Sequence, residues 1–302
     1  MATMKYEIGY RGYASLGGSR LLATGGSCNI NQDPIMASGV WGAGAYNAAE
    51  NVIFAPNYLR LEGDISFELA SGDIFTELSE FTTEDRATGK SLELKPNGTG
   101  GYSGSAWCSQ FSLDCSEGAI VSGSVGFTGV GFDGFTASAP SVTNGTGDTG
   151  QGSPFGTLDG VFPYWGTSVS VDGSKQNDII SWNASYSSEV VLLSLCSGAT
   201  TAPTGPDYVM MGSMTADGSF TLYGLPSLLA STTFQGDKTC SITMNPTKGG
   251  SGTVSFGKII FSSGGTSIQT GSTYVQADFS FTALGDGTKP PMGISGGNGG
   301  GE

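Results

Sequence analysis

The 302-residue chain contains no histidine. The commonest general base is therefore missing, and neither a Ser-His nor a Cys-His nucleophile can be assembled. The cysteines, Cys28, Cys108, Cys115, Cys196 and Cys240, form no CxxC and are too scattered for a four-thiolate zinc site. Their odd number fits free thiols in a reducing cytoplasm rather than a disulfide framework. Gly129-Val130-Gly131-Phe132-Asp133-Gly134 matches GxGxxG. A dinucleotide site needs a helix to open there, which FTASAPSVTNG cannot supply, so a turn at a strand end is expected. Asn29, Asn31 and Asp33 have calcium-loop spacing, yet Pro34 stands where such a loop needs Gly. The acid pair Glu84-Asp85 would serve a glycosidase only if a cleft framed it, and nothing around it does. No catalytic residue, cofactor or metal is expected, and the chain reads as a non-enzyme.

What remains is charge. Twenty-six acids against 12 bases give a net charge of −14, and the excess leans toward the first half. No basic patch exists to neutralise phosphates, so ordinary nucleic-acid binding is disfavoured. A surface that must not stick to DNA has this composition, as does any soluble acidic protein. The acids are best placed in Leu59 to Leu69. Odd positions there are apolar or Gly, and even positions are Arg60, Glu62, Asp64, Ser66 and Glu68. Such a period of two predicts a strand with one buried face and one wet, mostly acidic face. Glu62, Asp64 and Glu68 are thus either a solvated face or a wall toward something to be repelled. The corresponding stretch later in the chain, Val209 to Leu222, is read as not repeating these acids.

That correspondence comes from an internal repeat. GAIVSGSVGFTGVG, starting at Gly118, is echoed by GSTYVQADFSFTALG, starting at Gly271. A shift of 154 carries Val121, Val125, Phe127 and Gly131 onto Val275, Phe279, Phe281 and Gly285, and Ser27 and Asn29 onto Ser181 and Asn183. Between these blocks the shift is 150: Asn57-Tyr58 falls on Asp207-Tyr208, Leu92 on Ile242, Leu94 on Met244 and Phe111 on Phe261. Matches that keep their order and only two offsets predict a tandem duplication with units of about 150 residues. Each unit is long enough to bury its own core.

The 51 glycines and 13% charged residues, with Ser, Thr, aromatic and Val/Ile runs between turns, predict an all-β fold with one short helix per repeat. Strands are expected at Ala106 to Asp114, Val121 to Thr128, Thr253 to Ser262 and Thr273 to Ala283. The first helix is expected in Ser71 to Phe81, with Ser71 as N-cap and Ile74, Phe75, Leu78 and Phe81 at helical spacing. The second is expected in Gly224 to Ala230, with Pro226 early. Glu84 to Gly101 and Asn245 to Gly252 read as hairpin tips. Gln32 to Pro56 reads as a long loop, either plain surface or packed on a neighbouring subunit through Trp41 and Tyr46. The domains expected are 1–138 and 161–285, joined by a Gly/Ser/Thr-rich linker at 139–160 and followed by a flexible Gly-rich tail at 286–302. The N-terminal stretch lacks the apolar core of a signal peptide and no run reaches transmembrane length, so neither export nor a membrane partner is expected.

Several blocks carry a resemblance: WGTSVSVDGSKQNDIISWNASYSSEVV, DYVMMGSMTADGSFTLYG and YVQADFSFTALG, with SLDCSEGAIVSGSVGFTGVG in the first half. Together they resemble the major tail tube protein of long-tailed bacteriophages. The resemblance covers most of both repeats and rests on β-pattern and Gly/Phe spacing. It implies two tandem β-sandwich or half-barrel domains, each with a flanking helix, whose inner sheets join their neighbours' into a continuous tube. Rings stack, a long loop reaches the next ring, and DNA passes down the lumen without specific binding. Partners would be further copies of the chain and other tail proteins, in a virion tail assembled in the host cytoplasm. That family often has one tube domain per subunit in hexameric rings. Two domains per chain imply instead a trimeric ring with pseudo-sixfold symmetry, a hexamer being the alternative. The other reading is a different phage or cell-surface structural or adhesion protein with two β modules.

Overall fold

From Leu61 to Leu69 the odd side chains are buried, Leu61, Ile65, Phe67 and Leu69 at most 2% exposed, while Leu59 at the strand's start is 39% exposed. The computed structural model describes residues 13–32, 35–38, 52–55, 58–70, 72–95, 102–130, 160–194, 205–224, 228, 236–267, 275–285 and 290–296. Among them strands dominate. The first half holds β1 (Tyr13–Leu16), β2 (Ser19–Gln32), β3 (Ile35–Ser38), β4 (Val52–Ala55), β5 (Leu59–Glu68), β6 (Lys90–Lys95), β7 (Tyr102–Ser116) and β8 (Ser122–Val130). The second holds β9 (Thr167–Val171), β10 (Ser174–Lys175), β11 (Ile179–Leu193), β12 (Tyr208–Tyr223), β13 (Lys238–Met244), β14 (Gly252–Ser267), β15 (Gln276–Ala283) and β16 (Gly293–Gly296). One α-helix, α1 (Asp73–Phe81), lies among the described residues. The fold is all-β.

In the first half, β7, β6, β1, β2, β5 and β8 pair in that order, and β8 pairs back onto β7, so six antiparallel strands close into a barrel. Closure removes the edges that an open sheet would expose. In the second half the order is β11, β12, β15, β14, β13, β9, with β10 hairpinned on β9 just before β11 begins. The halves meet where Ser181–Ser187 of β11 pair antiparallel with Gln110–Ser116 of β7. Eight strands therefore run side by side: β2, β5, β8, β7, β11, β12, β15, β14.

The pairing registers of the two halves correspond closely. Leu92 faces Gly104 as Ile242 faces Val254, which keeps the shift of 150. Leu61, Gly63 and Ile65 face Gly129, Phe127 and Val125, as Ala216, Gly218 and Phe220 face Ala283, Phe281 and Phe279. β5 and β12 are thus related by 155, five residues away from the sequence match of Tyr58 with Tyr208. β2 and β11 are related by 156 rather than 154: Cys28 faces Gly63 and Ala184 faces Gly218, and both strands bulge at the same place, Ala23/Gly25 and Ile179/Ser181. Phe111 does not correspond to Phe261. β7 bulges at Cys108/Gln110 but β14 at Phe261/Ser263, so through their partners Ser112 corresponds to Gly265.

Helix α1 buries Ile74, Phe75, Leu78 and Phe81, the residues its spacing singled out. Its N-cap is Gly72, without a side-chain cap hydrogen bond; Ser71 lies outside the described residues. The helix packs on β16, and the Phe75 ring meets Phe162 edge-on at 5.6 Å. That ring also covers Gly252, where a Cβ would fall 2.2 Å from its carbons. Gly252→Ala should therefore destabilise the fold by about 1–3 kcal/mol through overpacking, read as a lower urea midpoint with unchanged slope.

The tail expected to be flexible is structured over 290–296. β16 pairs with Gly252–Ser255, and Met292 and Ile294 are buried. The two side chains stand at period two among glycines that mask the pattern. Gln32 to Pro56 begins and ends as a ribbon, because β3 and β4 pair from Ile35↔Ala55 to Ser38↔Val52; Trp41 and Tyr46 lie outside the described residues. Glu84 to Gly101 is not one hairpin tip, since a 3-10 turn (Glu84–Ala87) and β6 occupy most of it. Of the second expected helix, only Gly224 and Leu228 are described, and of the linker only Gly160. Among the described residues no helix is long and apolar enough to cross a membrane.

Candidate functional site

The eight-stranded sheet turns one set of side chains into the core and the other away from it. On β5 the outward set is Arg60, Glu62, Asp64, Ser66 and Glu68, all half-buried. Glu62, Asp64 and Glu68 thus share one face, which continues onto the next strands. Asp114 stands on β7, Asp217 on β12 and Asp278 on β15, all exposed. Across β5, β8, β7, β11, β12 and β15 the one base is Arg60.

Most of these carboxylates are held by groups on an adjacent strand. Ser27 Oγ donates to Asp64 Oδ1, and Asn31 Nδ2 to Glu62 Oε2 at 3.3 Å. Ser122 Oγ donates to Asp114 Oδ2 at 2.9 Å. Thr282 Oγ1 donates to Asp217 Oδ1 and Thr221 Oγ1 to Asp278 Oδ1, each at 2.7 Å. Hydroxyl pairs fill the spaces between: Ser112 with Ser124 at 3.0 Å and Ser187 with Thr215 at 2.6 Å. Such cross-strand pairs fix side-chain direction more than they add stability. The surface they make is shallow, acidic and rich in short hydroxyls. Along the seam between the halves it forms a groove lined by Gln110, Ser112, Ser124, Ser187, Thr215 and Asp217.

Of the three acids of β5, Val209 to Leu222 keeps a counterpart to one, Asp217, and does not repeat the set. By the pairing shift of 155 Asp217 occupies the place of Glu62, and Ser219 that of Asp64. The signal was present in the sequence, where Leu61-Glu-Gly-Asp-Ile-Ser-Phe matches Ala216-Asp-Gly-Ser-Phe-Thr-Leu. Asp114 and Asp278 were missed because each is a lone acid among Ser and Thr.

The four thiols among the described residues offer little reactivity. Burial pushes Cys28 and Cys115 up to about 11 and Cys240 to about 12, and Cys108 higher still. A thiol so raised stays protonated at neutral pH and is a poor nucleophile and ligand. Among the described residues no three His, Cys, Asp or Glu side chains gather as metal ligands. Gly129 and Val130, which begin the GxGxxG match, sit at the end of β8, and the rest of that motif lies outside the described residues. No protein-family model matches the chain, and no curated protein matches it in sequence.

Proposed function

We propose that the chain is a non-enzymatic structural subunit of a phage tail tube, polymerising as stacked rings around a channel for DNA. The observation that carries this reading is the eight-stranded sheet, with its outward face acidic on both halves and nearly free of bases. Such a face repels phosphate, as a DNA conduit requires. The resemblance of Trp165–Val191, Asp207–Gly224 and Tyr274–Gly285 to tail tube proteins points the same way. Matching strand order and register support reading the halves as tandem copies that form two equivalent wall segments. Three chains then fill six positions in a pseudo-sixfold ring, with Glu62, Asp64 and Glu68 toward the lumen. Other tail proteins would cap the tube in the virion.

Electron microscopy of the purified protein tests this directly. Hollow rods with pseudo-sixfold rings are expected on concentration. A protein that stays a small discrete oligomer at high concentration would favour a two-module adhesion protein and end the tube reading. Rods with six chains per ring would end only the trimer.

A further inference from the structure

Three side-chain nitrogen or oxygen atoms among the described residues are buried without a hydrogen-bond partner. One of them, Glu77 Oε2, has the Lys90 ammonium at 3.2 Å. The other two, Arg86 Nη1 and the Tyr186 hydroxyl, stand together where the halves join. Arg86 lies in the 3-10 turn after α1, and its Nη2 donates to the Gly212 carbonyl of β12 at 3.0 Å. Ser188 Oγ, on β11, donates to the same carbonyl at 3.3 Å. Tyr186, two residues earlier on the same inward face of β11, is 2% exposed. Its hydroxyl lies against Ser188 and the Arg86 guanidinium.

Both unpartnered groups are donors. A guanidinium has no acceptor atom. Burial pushes the Tyr186 hydroxyl above its ordinary value, so it keeps its proton at neutral pH. The carbonyls around the pair are occupied. Gly212 O accepts from Arg86 and Ser188, Ala87 O from Trp107 Nε1 at 2.9 Å, and Gln110 O from the Cys108 thiol at 3.3 Å. Among the described residues no carboxylate forms an ion pair with Arg86. Glu189 has its carboxylate beside Gly212 but is exposed. Buried donors left without an acceptor are costly, and more so when one carries charge.

We propose that Arg86 Nη1 and the Tyr186 hydroxyl hold a small monovalent anion, chloride in size and charge, between the two halves. A water fits the place less well. It accepts from the two donors but must then put its own protons on acceptors, and the carbonyls there are taken. An anion needs donors alone and offsets the guanidinium charge. Arg86 belongs to the first half and Tyr186 to the second, so the ion ties one to the other. This site is independent of the tube reading.

Urea unfolding in sodium chloride against sodium gluconate, at constant ionic strength, tests the proposal. A ligand bound by the folded chain alone raises the folding constant in proportion to its concentration once that exceeds Kd. The wild-type folding constant is therefore expected to rise about tenfold for each tenfold rise in chloride, and not to respond to gluconate. Tyr186→Phe keeps the ring that stacks on Phe111 at 5.1 Å, and Arg86→Lys keeps the charge. Each should fold and lose the chloride dependence. Excess broadening of the chloride NMR line reads the bound ion directly, and it should be present in wild type and absent in Tyr186→Phe even if that variant is less stable. Equal chloride dependence and line width in wild type and variants would place the ion elsewhere and overturn the proposal. A wild type indifferent to chloride in both measurements would make a water or another group of the chain the acceptor, which overturns it as well.

Discussion

Gly218→Val is expected to destabilise the fold severely, by about 3 kcal/mol or more, at the upper end of overpacking costs. Gly218 faces Phe281 across β12 and β15, and a Cβ there would lie 2.3 Å from the ring's Cζ. The ring cannot step aside. Phe281 is 2% exposed and touches Phe220, Phe256 and Phe261 at centroid distances of 5.0–6.4 Å. The higher strand propensity of valine, within a scale of about 1 kcal/mol, cannot compensate. The corresponding pair in the first half is Gly63 and Phe127, where a Cβ would meet Phe127 Cζ at 2.8 Å and the Ser27 carbonyl oxygen at 2.1 Å. Gly63→Val should fail in the same way. A double-mutant cycle by urea unfolding identifies the cause. Phe281→Ala alone should cost about 3–5 kcal/mol, and combined with Gly218→Val the total should fall at least 1 kcal/mol short of the sum. Additive losses, or a Gly218→Val change under about 0.5 kcal/mol, would show that the ring is not what the glycine accommodates.

The same glycine shows which parts of the fold could be read from sequence. β5 was legible because Leu61, Ile65 and Phe67 alternate with charges, and α1 because Ile74, Phe75, Leu78 and Phe81 keep helical spacing. The relation of β5 to β12 was legible only roughly. Gly63 and Gly218 hold corresponding places in the pairing, facing Phe127 and Phe281, but a residue without a side chain contributes nothing to an apolar pattern, and the match of Asn57-Tyr58 to Asp207-Tyr208 is the stronger signal in sequence. That difference of five residues hid that Asp217 stands in the pairing of β12 where Glu62 stands in that of β5. The seam between β7 and β11 left no local trace, since Phe111 and Tyr186 are far apart in the chain and meet only in the folded sheet. β16 was concealed for a different reason: Met292 and Ile294 are too few, among glycines, to register as a strand until β14 pairs with it, Val254 facing Ile294. The face bearing Glu62, Asp64 and Glu68 was therefore visible on one strand, and its extension over the sheet was not.

Reversing that face should convert a surface indifferent to DNA into one that holds it. Glu62→Lys, Asp64→Lys and Glu68→Lys together change the charge by two units each, moving the net from −14 to −8. The substitution also ends the pairing of Arg60 with Glu62, whose Oε1 accepts from Arg60 Nε at 3.1 Å, so four adjacent cations would face solvent. All three acids are only half-buried and point away from the core, so folding should change by no more than about 1 kcal/mol, the usual scale for exposed pairs. The unassembled variant is expected to bind duplex DNA, its affinity falling with salt at a slope of about −0.9 per phosphate contacted, while the wild type shows no binding. Assembly then distinguishes the two sides of the wall. If the face lines a lumen, closed circular DNA cannot reach it, and binding of a supercoiled plasmid should vanish once the variant forms rods. Ejection through a tail carrying the variant should also slow, because lumen cations would pair with the passing phosphates. Plasmid binding that survives assembly would place Glu62, Asp64 and Glu68 on the outer surface and remove the repulsive-lumen role.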